Sequence, residues 1–472
     1  MKSLSPSTAS VPLWPIMTAV FCSVFISNLN TSTVNLAVPT LIKAFHSDMS
    51  IVQWALTGYM MAIGIGSPMA GFLISRYGNK KVYATTLIGF SLASLLCSLA
   101  WSPLSLIGAR VIQGGCAGLM LPVTLTLLYR TVDRKQQPMA VSLWEAAGWL
   151  GPALGPVVSG ICLQYLSWRW LFLLNMPLLI LSIVLVLRYV PASVGDHSKR
   201  LDKLSAVLSS TGSFTVLLSF SRASAWGLLN IKTLLLLAVG ILLLVLFVRR
   251  QLHADNPLLE FRVFRYRPYA ISVLMLGLIN AALFAVVYFV PYFLQTAQGL
   301  RAADTGLIML PSSVITVLLL PLVGKLYTKL GPMKLAGTGI SLMILATWML
   351  SHINVDTSSG TVILWTVTRN IGIAFSSMPL MNAGLSGVSD SLIGYATSMT
   401  SWVRQCMGSL SIAILTAYYT WRTISYSGTT AAVAESTAAV TYGVHHVFLL
   451  VTLLLVCMLP LVLIFKKKVP SV

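Results

Sequence analysis

Two stretches of the chain repeat one pattern of residues. They read Gly71-Phe-Leu-Ile-Ser75-Arg76-Tyr-Gly78-Asn-Lys80-Lys81 and Gly324-Lys-Leu-Tyr-Thr328-Lys329-Leu-Gly331-Pro-Met-Lys334. Both match G-x-L-x-S/T-R/K-x-G-x-x-K, and they begin 253 positions apart. Short turns between helices also collect glycine and lysine by chance, which is the alternative interpretation. Equivalent positions in two parts of one chain favour an internal duplication instead.

Long apolar runs surround both stretches. Of the 472 residues, 57% are hydrophobic and only 9% are charged, against roughly 25% charged in a soluble domain. This composition excludes an ordinary cytosolic enzyme, because too little polar surface is available. The 31 basic residues outnumber the 11 acidic ones, but they lie between apolar runs rather than on a solvated basic face, which argues against nucleic-acid binding. The composition predicts an integral membrane protein.

Apolar windows of about 20 residues, the length that crosses a bilayer, occur fourteen times. They are continuous rather than alternating, so we predict an all-α membrane protein and not a β-barrel. The predicted spans lie near 13–36, 51–74, 83–101, 104–129, 138–162, 169–190, 203–222, 231–249, 269–294, 303–325, 334–352, 360–384, 391–419 and 444–466. They form two predicted six-helix halves, 1–190 and 251–472, separated by a two-helix linker at 191–250.

Charges in the connectors predict the orientation of the chain. Twenty-two of the basic residues fall in one set of connectors and the two termini, six fall in the opposite set, and three lie inside spans: Arg110, Arg369 and Arg404. Positively charged connectors remain in the cytoplasm. We therefore expect a multi-pass protein of the cytoplasmic membrane with both termini in the cytoplasm.

The sequence predicts no cofactor, metal site or catalytic centre. The six cysteines lie in apolar runs, and the six histidines are scattered among loops and helix ends, so neither set predicts a disulfide framework or metal ligands. No His–carboxylate or Cys–His cluster suggests an enzyme. No G-x-x-x-x-G-K-S/T motif indicates an ATP-driven pump.

Several motifs resemble those of the fourteen-helix drug:proton antiporters of the major facilitator superfamily. The stretch from Gly71 to Lys81 resembles the superfamily's loop signature, and its residues Gly71, Arg76, Gly78 and Lys80 are expected to act in conformational change. A fourth-span motif, a fifth-span antiporter motif and a first-span signature are also present: Arg110-Val-Ile-Gln113-Gly114, Gly148-Trp-Leu-Gly151-Pro152-Ala-Leu-Gly155-Pro156, and Asn30-Thr-Ser-Thr-Val-Asn-Leu-Ala-Val-Pro39. The resemblance covers almost the whole chain.

This resemblance implies a monomeric exporter that moves amphipathic small molecules, such as drugs or antibiotics, outward by alternating access while protons flow in. Its partners would be the small-molecule substrate, protons and the lipid bilayer. An uncoupled facilitator, or a dedicated exporter of one neutral or anionic metabolite, antibiotic or lipid, remains the alternative.

The antiporter motif has a physical basis. The pairs Gly151-Pro152 and Gly155-Pro156 are four residues apart and share a helical face with nearby Gly148. Glycine permits close approach of helices, and proline bends the helix. We expect a kinked fifth span that seals the two halves on one side, with a simple packing seam as the alternative.

Two positions depart from the family pattern. Asn30 stands where the first-span motif usually has an aspartate, and Ser75 stands where the loop motif usually has one. Asn30 does not titrate, so no proton site exists there. Without an acid beside Arg76, the expected helix-to-loop charge lock is weakened. Because of these two departures, transport without proton coupling remains an alternative.

Glu145 is the candidate proton site, because it is the only acid well within a predicted span. Burial disfavours the charged form of a carboxyl, as proton exchange near neutral pH requires. The alternative is a glutamate near the cytoplasmic interface, or one held by Trp144 or Ser142. The resemblance implies a proton-coupling role for Arg110, but direct pairing with Glu145 is not expected, since the two lie near opposite ends of antiparallel helices.

The embedded arginines have two interpretations. Arg110 costs about 2.5–3.5 kcal/mol to insert, so it must face protein or a water-filled cavity, and a purely structural role is the alternative. Arg404 and Arg369 have the same two interpretations, with the structural one favoured. Arg404 is assigned to the residues that act in conformational change.

The substrate cavity is expected between the first, fourth, ninth and twelfth spans. Ser27 and Asn30 lie on one polar stripe of the first span, with Gln113 on the fourth. On the ninth span, residues repeat every fourth position and suit large apolar or cationic ligands: Asn280, Phe284, Tyr288 and Tyr292. Ordinary helix packing is the alternative for each of them.

Overall fold

The computed structural model describes residues 13–193, 195–199, 202–226, 230–254, 257–427 and 436–463. Within these ranges the chain forms helices and no strand. The helices are α1 (Leu13–Phe45), α2 (Met49–Val52), α3 (Trp54–Gly66), α4 (Met69–Tyr77), α5 (Asn79–Ser98), α6 (Pro103–Thr131), α7 (Gln137–Tyr165), α8 (Trp170–Leu173), α9 (Met176–Tyr189), α10 (Lys203–Trp226), α11 (Ile231–His253), α12 (Arg267–Thr296), α13 (Ala302–Ser351), α14 (Ser359–Leu385), α15 (Ile393–Ser427) and α16 (Thr437–Val462), with a 3-10 turn at Phe261–Arg265. Both termini lie outside the described residues.

Length and hydropathy qualify nine of the described helices as membrane spans, or ten if α3 and α4, bent by 54°, form one span. The predicted helical class is confirmed. All fourteen predicted windows coincide with a helix, a broken helix pair or one arm of α13. Some windows are too polar to qualify separately, so the count of fourteen crossings stays a prediction. The helix α13 contains two windows because it continues through a break at Gly331.

The two copies of the repeated pattern have the same backbone geometry. Gly78 has φ 82° and ψ 154°, and Gly331 has φ 74° and ψ 169°. These positive φ values favour glycine, since it lacks a Cβ atom. Each glycine therefore turns the chain between two helices in the same way, which supports an internal duplication.

The first glycines of the two copies also match in their packing. A Cβ atom on Gly71 would lie 2.9 Å from the carbonyl oxygen of Gly394 and from Cα of Tyr395, at the start of α15. A Cβ atom on Gly324 would lie 2.7 Å from Oγ of Ser142 and close to the start of α7. Each glycine lets its helix approach the first turns of a helix from the other part of the chain.

Helices α1–α9 and α12–α16 are joined at one end of the bundle, which we call the closed end. Thr126 and Thr397 share a hydrogen bond of 2.6 Å, and the Arg130 guanidinium donates to the carbonyl of Asp390 at 3.1 Å. Tyr129 donates to the side chain of Asn382 at 3.1 Å. These residues lie near the α4–α5 and α6–α7 connectors, where the basic charge is concentrated.

The linker helices pack against both groups. Helix α10 contacts α3 and α15, and Trp402 of α15 donates to the hydroxyl of Ser213 at 3.1 Å. Helix α11 packs on α10, and Arg250 binds Asp202 across the pair at 2.5 Å. The hydrogen bond from Arg250 lowers the pKa of Asp202 to about 2, so this connection remains ionised throughout the physiological pH range.

Substitution of Gly71 or Gly324 by alanine tests whether each glycine is needed for the close approach of its helix to a helix from the other part of the chain. We expect Gly71→Ala and Gly324→Ala each to lower the free energy of unfolding by about 1–3 kcal/mol, because the added methyl group overpacks a helix crossing. Thermal unfolding of the purified protein measures the change. Gly108→Ala is the matched control, since no atom lies within 4 Å of its Cβ position. Equal stability of all three variants would contradict the packing argument.

Candidate functional site

Arg110 is fully buried in α6 and is surrounded by neutral acceptors. Its Nε donates to the carbonyl of Ala55 at 3.2 Å, and Nη1 donates to Oε1 of Gln113 at 2.6 Å and to Oδ1 of Asn30. The guanidinium carbon lies 3.8 Å from the centroid of the Tyr59 ring. No described carboxylate pairs with Arg110, so carbonyl oxygens and an aromatic face balance its charge.

The predicted substrate contacts of the first and fourth spans belong to this network. Gln113 donates to the hydroxyl of Ser94 at 2.6 Å, and Tyr59 donates to the carbonyl of Ser27 at 3.2 Å. Asn30 and Gln113 are 0% exposed, and Ser27 is 3% exposed. In this conformation the three side chains are enclosed around Arg110 rather than lining an open cavity, because a buried guanidinium requires acceptors.

Glu145 lies at the contact between helices from distant parts of the chain. Its Oε1 accepts a 2.7 Å hydrogen bond from Ser377 of α14 and lies 3.9 Å from Nη1 of Arg404 of α15. The residue is 4% exposed, and its Oε2 has no hydrogen-bond partner. Glu145 and Ser377 therefore join α7 to α14 near the closed end.

Trp144 and Ser142, which the sequence suggested as hydrogen-bond partners of Glu145, bind other groups. Trp144 donates to the hydroxyl of Thr124 at 3.0 Å, and Ser142 donates to the carbonyl of Met139 at 2.7 Å. Arg110 has its own network on α1, α3 and α6. Among the described acids, Glu145 alone lies buried inside a helix.

The three embedded arginines differ in their surroundings. Arg369 of α14 is 2% exposed and donates to the carbonyl of Ala282 at 2.9 Å and to Asn370 at 3.0 Å. The side chain of Arg404 is 28% exposed.

The polar and aromatic stripe predicted on the ninth span exists on α12 and faces α15. Asn280 donates to the carbonyl of Arg404 at 2.6 Å, and a Cβ atom on Gly408 would lie 2.6 Å from the ring of Phe284. Tyr288 stacks on Tyr292 with 6.4 Å between centroids, and Tyr292 meets Tyr419 of α15 at 5.6 Å. Tyr288 is 43% exposed, so part of this stripe is accessible.

The glycines of the antiporter motif pack α7 against α1. Cβ atoms on Gly151 and Gly155 would lie 2.6 Å from the backbone nitrogen of Leu29 and 2.3 Å from Oγ of Ser32. Gly148 faces Asn28 more loosely, at 4.0 Å. The glycine face therefore packs α7 against α1 in this structure, and the sealing of the two halves by this motif stays a prediction.

The prolines of the motif do not break α7. The helix continues from Gln137 to Tyr165, and Pro152 lies on its exposed side. The side chain of Pro156 lies outside the described residues. The close packing expected from the glycines is present, but its partner is α1.

The loop at Ser75 is held by the linker. Nζ of Lys199 donates to the Ser75 hydroxyl at 2.5 Å, and the backbone nitrogen of Asp196 donates to the Ser75 carbonyl at 2.9 Å. The backbone nitrogen of Asn79 donates to Oγ of Ser193 at 2.6 Å. The loop is therefore still attached to the linker although Ser75 is not an acid, because Lys199 of the linker binds the Ser75 hydroxyl.

The basic residues Arg76 and Lys80 of this loop contact its surroundings in different ways. Lys80 donates to the carbonyl of Leu187 at 2.7 Å, which fixes the loop to α9. The Arg76 guanidinium lies 5.2 Å from the ring centroid of Tyr77, and its buried Nε has no hydrogen-bond partner. Arg76 thus has no acidic partner in the described residues.

Sequence reasoning missed Ser377 and Lys199. A serine in an apolar helix and a lysine in a basic connector carry no signal of their distant partners. It also missed the grouping of three histidines, where His445 lies between His352 and His446 with ring centroids 5.7 and 5.1 Å away. A helix end from each of α13 and α16 brings these rings together, which spacing along the chain did not indicate.

Placing an acid at position 30 tests the hydrogen bonds between Arg110 and its uncharged acceptors. We expect Asn30→Asp to maintain or raise stability, by up to about 3 kcal/mol, since a carboxylate would accept from the Arg110 guanidinium in place of a neutral amide oxygen. Asn28→Asp, two residues earlier on α1, is the control and should destabilise the protein because no guanidinium contacts Asn28. Thermal unfolding compares the two variants. Equal destabilisation would contradict the network described for Arg110.

Comparisons with known proteins agree with this architecture. The family model described as "Major Facilitator Superfamily" matches residues 20–416. The lincomycin resistance protein LmrB of Listeria monocytogenes is 28% identical over 459 residues, covering 96% of this chain and 97% of the relative. The tetracenomycin C resistance and export protein of Streptomyces glaucescens is 27% identical, covering 85% of this chain and 75% of the relative.

Solved structures show the same fold. The human organic anion transporter MFSD10 (TETRAN) superposes with a TM-score of 0.66 at 12% sequence identity, covering 94% of this chain and 99% of that one. At this identity the likeness concerns the fold alone. The family match covers most of the sequence, from the first helix into α15. The chain is therefore a transporter, not an enzyme, and it belongs to the Major Facilitator Superfamily.

Proposed function

We propose that this transporter exports amphipathic small molecules across the cytoplasmic membrane in exchange for protons. Two six-helix halves, 1–190 and 251–472, would alternate in access around a central site, with the linker 191–250 between them. The observation that carries the proposal is the position of Glu145, a buried carboxylate at the junction of α7, α14 and α15. Relatives named for drug resistance and export support the substrate class.

Glu145 links protonation to the closed end. When ionised, its carboxylate attracts Arg404 and accepts a hydrogen bond from Ser377, so it draws three helices together. When protonated, it loses the ion pair and leaves Arg404 without a counter-charge. The free energy that holds this end closed therefore differs between the protonated and the ionised form of Glu145.

The basic connectors give this change a direction. They lie at the closed end, and 22 of the 31 basic residues belong to the connector set and termini assigned to the cytoplasm. On this assignment the described conformation is closed toward the cytoplasm. A proton from outside would neutralise Glu145 and permit opening inward. Release of that proton to the cytoplasm would restore the ion pair and return the transporter to the outward state.

Arg110 has a supporting role in this scheme. Its hydrogen bonds join α1, α3 and α6, and its partners do not titrate. We therefore assign it to keeping the early helices together as a rigid unit while Glu145 alone exchanges the proton. We place both termini in the cytoplasm and expect a monomer, since one chain supplies every group in this scheme.

An uncoupled facilitator is the second candidate. The observation that favours it is Asn30, an amide bound to the embedded Arg110 where a titratable acid would otherwise couple transport. Adding substrate to proteoliposomes separates the two candidates. An antiporter produces a change in internal pH when substrate is added, whereas a facilitator produces none.

Glu145→Gln tests the proposed exchange. The variant keeps the size and the hydrogen bond from Ser377 but cannot ionise, so proton flux driven by substrate should fall at least about tenfold. A pH-sensitive dye inside proteoliposomes measures this flux. Asp356→Asn, an exposed acid in the connector between α13 and α14, is the control and should match the unchanged protein. Undiminished proton flux in Glu145→Gln would refute the assignment.

A further inference from the structure

We infer that the substrates are amphipathic organic anions, and that the guanidinium of Arg404 binds their anionic group. This inference rests on the proposed function, because it assigns a ligand class to the same site. It comes from the charges inside the helices, from the different surroundings of the three arginines, and from the aromatic stripe that begins beside Arg404.

The interior of the helices carries more positive than negative charge. Arg110, Arg369 and Arg404 lie within the described helices, against Glu145 as the one carboxylate buried there. Even with Glu145 ionised, two positive charges remain without an acidic partner. In a medium of low dielectric constant this surplus attracts an anion and repels a cation. A cationic substrate would have to compete with Arg404 for the same carboxylate.

Arg404 is the arginine that a substrate can reach. The guanidinium groups of Arg110 and Arg369 are buried and bound to carbonyl and amide oxygens. The side chain of Arg404 is 28% exposed, and its contact with Glu145, at 3.9 Å, is longer than a hydrogen bond. Its planar N–H groups are therefore available for bidentate binding of a carboxylate or sulfonate.

Helix α12 offers a surface for the apolar part of an amphipathic substrate beside the anion subsite at Arg404. Asn280 of α12 binds the backbone carbonyl of Arg404, which places the start of the aromatic stripe at the same level. One helical turn along α15, Gly408 packs directly against the ring of Phe284, because it has no side chain. The exposed member of the stripe is Tyr288, at 43%. Tyr288 and Tyr292 continue the stripe. An anionic head on Arg404 would thus leave an aromatic or hydrocarbon body against α12.

Glu145 and the anion compete for one guanidinium. The groups that face Glu145 are Arg404 on α15, Ser377 on α14 and, as the other ionisable side chain within electrostatic range, Tyr129 on α6. Protonation of Glu145 frees Arg404 for the anion. The ionised carboxylate of Glu145 and the anion are therefore alternative partners of the Arg404 guanidinium.

A matched pair of probes tests the anion subsite. The dye 1-anilinonaphthalene-8-sulfonate differs from N-phenyl-1-naphthylamine by one sulfonate, which stays ionised at every working pH. Equilibrium binding to the full-length protein in nanodiscs, with empty nanodiscs subtracted, gives both affinities. We expect the sulfonate dye to bind at least about tenfold more tightly, a difference of about 1.4 kcal/mol. Equal affinities would overturn the inference.

Two variants test whether Arg404 causes the preference for the sulfonate dye. In Arg404→Gln the tenfold preference for the sulfonate dye should disappear while the neutral dye still binds, which also reports that the variant is folded. Arg422→Gln is the control, since Arg422 lies farther along α15 and contacts the rings of Tyr418, Trp421 and Tyr442. A preference that survives in Arg404→Gln would overturn the assignment.

The dependence on pH provides a test that does not require an Arg404 variant. Affinity for the sulfonate dye should rise as pH falls, because protonation of Glu145 frees the guanidinium. In Glu145→Gln the affinity should be high and independent of pH. An unchanged pH profile in Glu145→Gln would overturn the competition.

The two proposals fail in distinguishable ways. Loss of proton flux in Glu145→Gln together with equal affinities for the two dyes would overturn the anion subsite and leave proton exchange standing. Undiminished proton flux together with a preference that depends on Arg404 would overturn proton exchange and leave the anion subsite standing.

Discussion

The contact of Glu145 with Ser377 and Arg404 is the interaction on which the arrangement of this transporter depends. It joins the fifth predicted span to the twelfth and thirteenth, and it places an ionisable carboxyl where helices from the two parts of the chain meet. The surrounding closed end consists of glycines that permit close approach and of hydrogen bonds that include the Thr126–Thr397 pair and the contact of Arg130 with the Asp390 carbonyl. Glu145 adds a carboxylate to these contacts.

The internal duplication extends from the sequence pattern to the backbone and the packing. Gly78 and Gly331 adopt the same left-handed turn, and Gly71 and Gly324 each let a helix approach the opposite part of the chain. The two parts differ in charge where they meet, since Glu145 lies in the earlier part and Arg404, 3.9 Å away, lies in the later one. Opposite charges at this position attract the two parts to each other.

The sequence predicted the helical class, the windows that became helices and the residues with unusual chemistry, because hydropathy and charge act locally. It identified Glu145 as the embedded acid and Arg110 as an embedded base that does not pair with it. It did not predict the partners. Ser377 lies 232 residues from Glu145, and Lys199 lies 124 residues from Ser75, so only the folded chain brings them together. For the same reason the glycines of the antiporter motif were recognised as a close-packing face while their partner, α1, was not.

The neutral surroundings of Arg110 and Arg369 have an electrical consequence. Each guanidinium retains its charge in the interior of the bundle and has no acidic partner in the part of the chain that the structure describes. A full charge that crosses the membrane changes the free energy by about 2.3 kcal/mol per 100 mV of membrane potential, and a partial displacement changes it in proportion. Any rocking of the helices that carries these arginines along the membrane normal therefore performs electrical work, whatever the charge of the substrate. For any such movement the membrane potential acts on the protein itself, even when no substrate is bound.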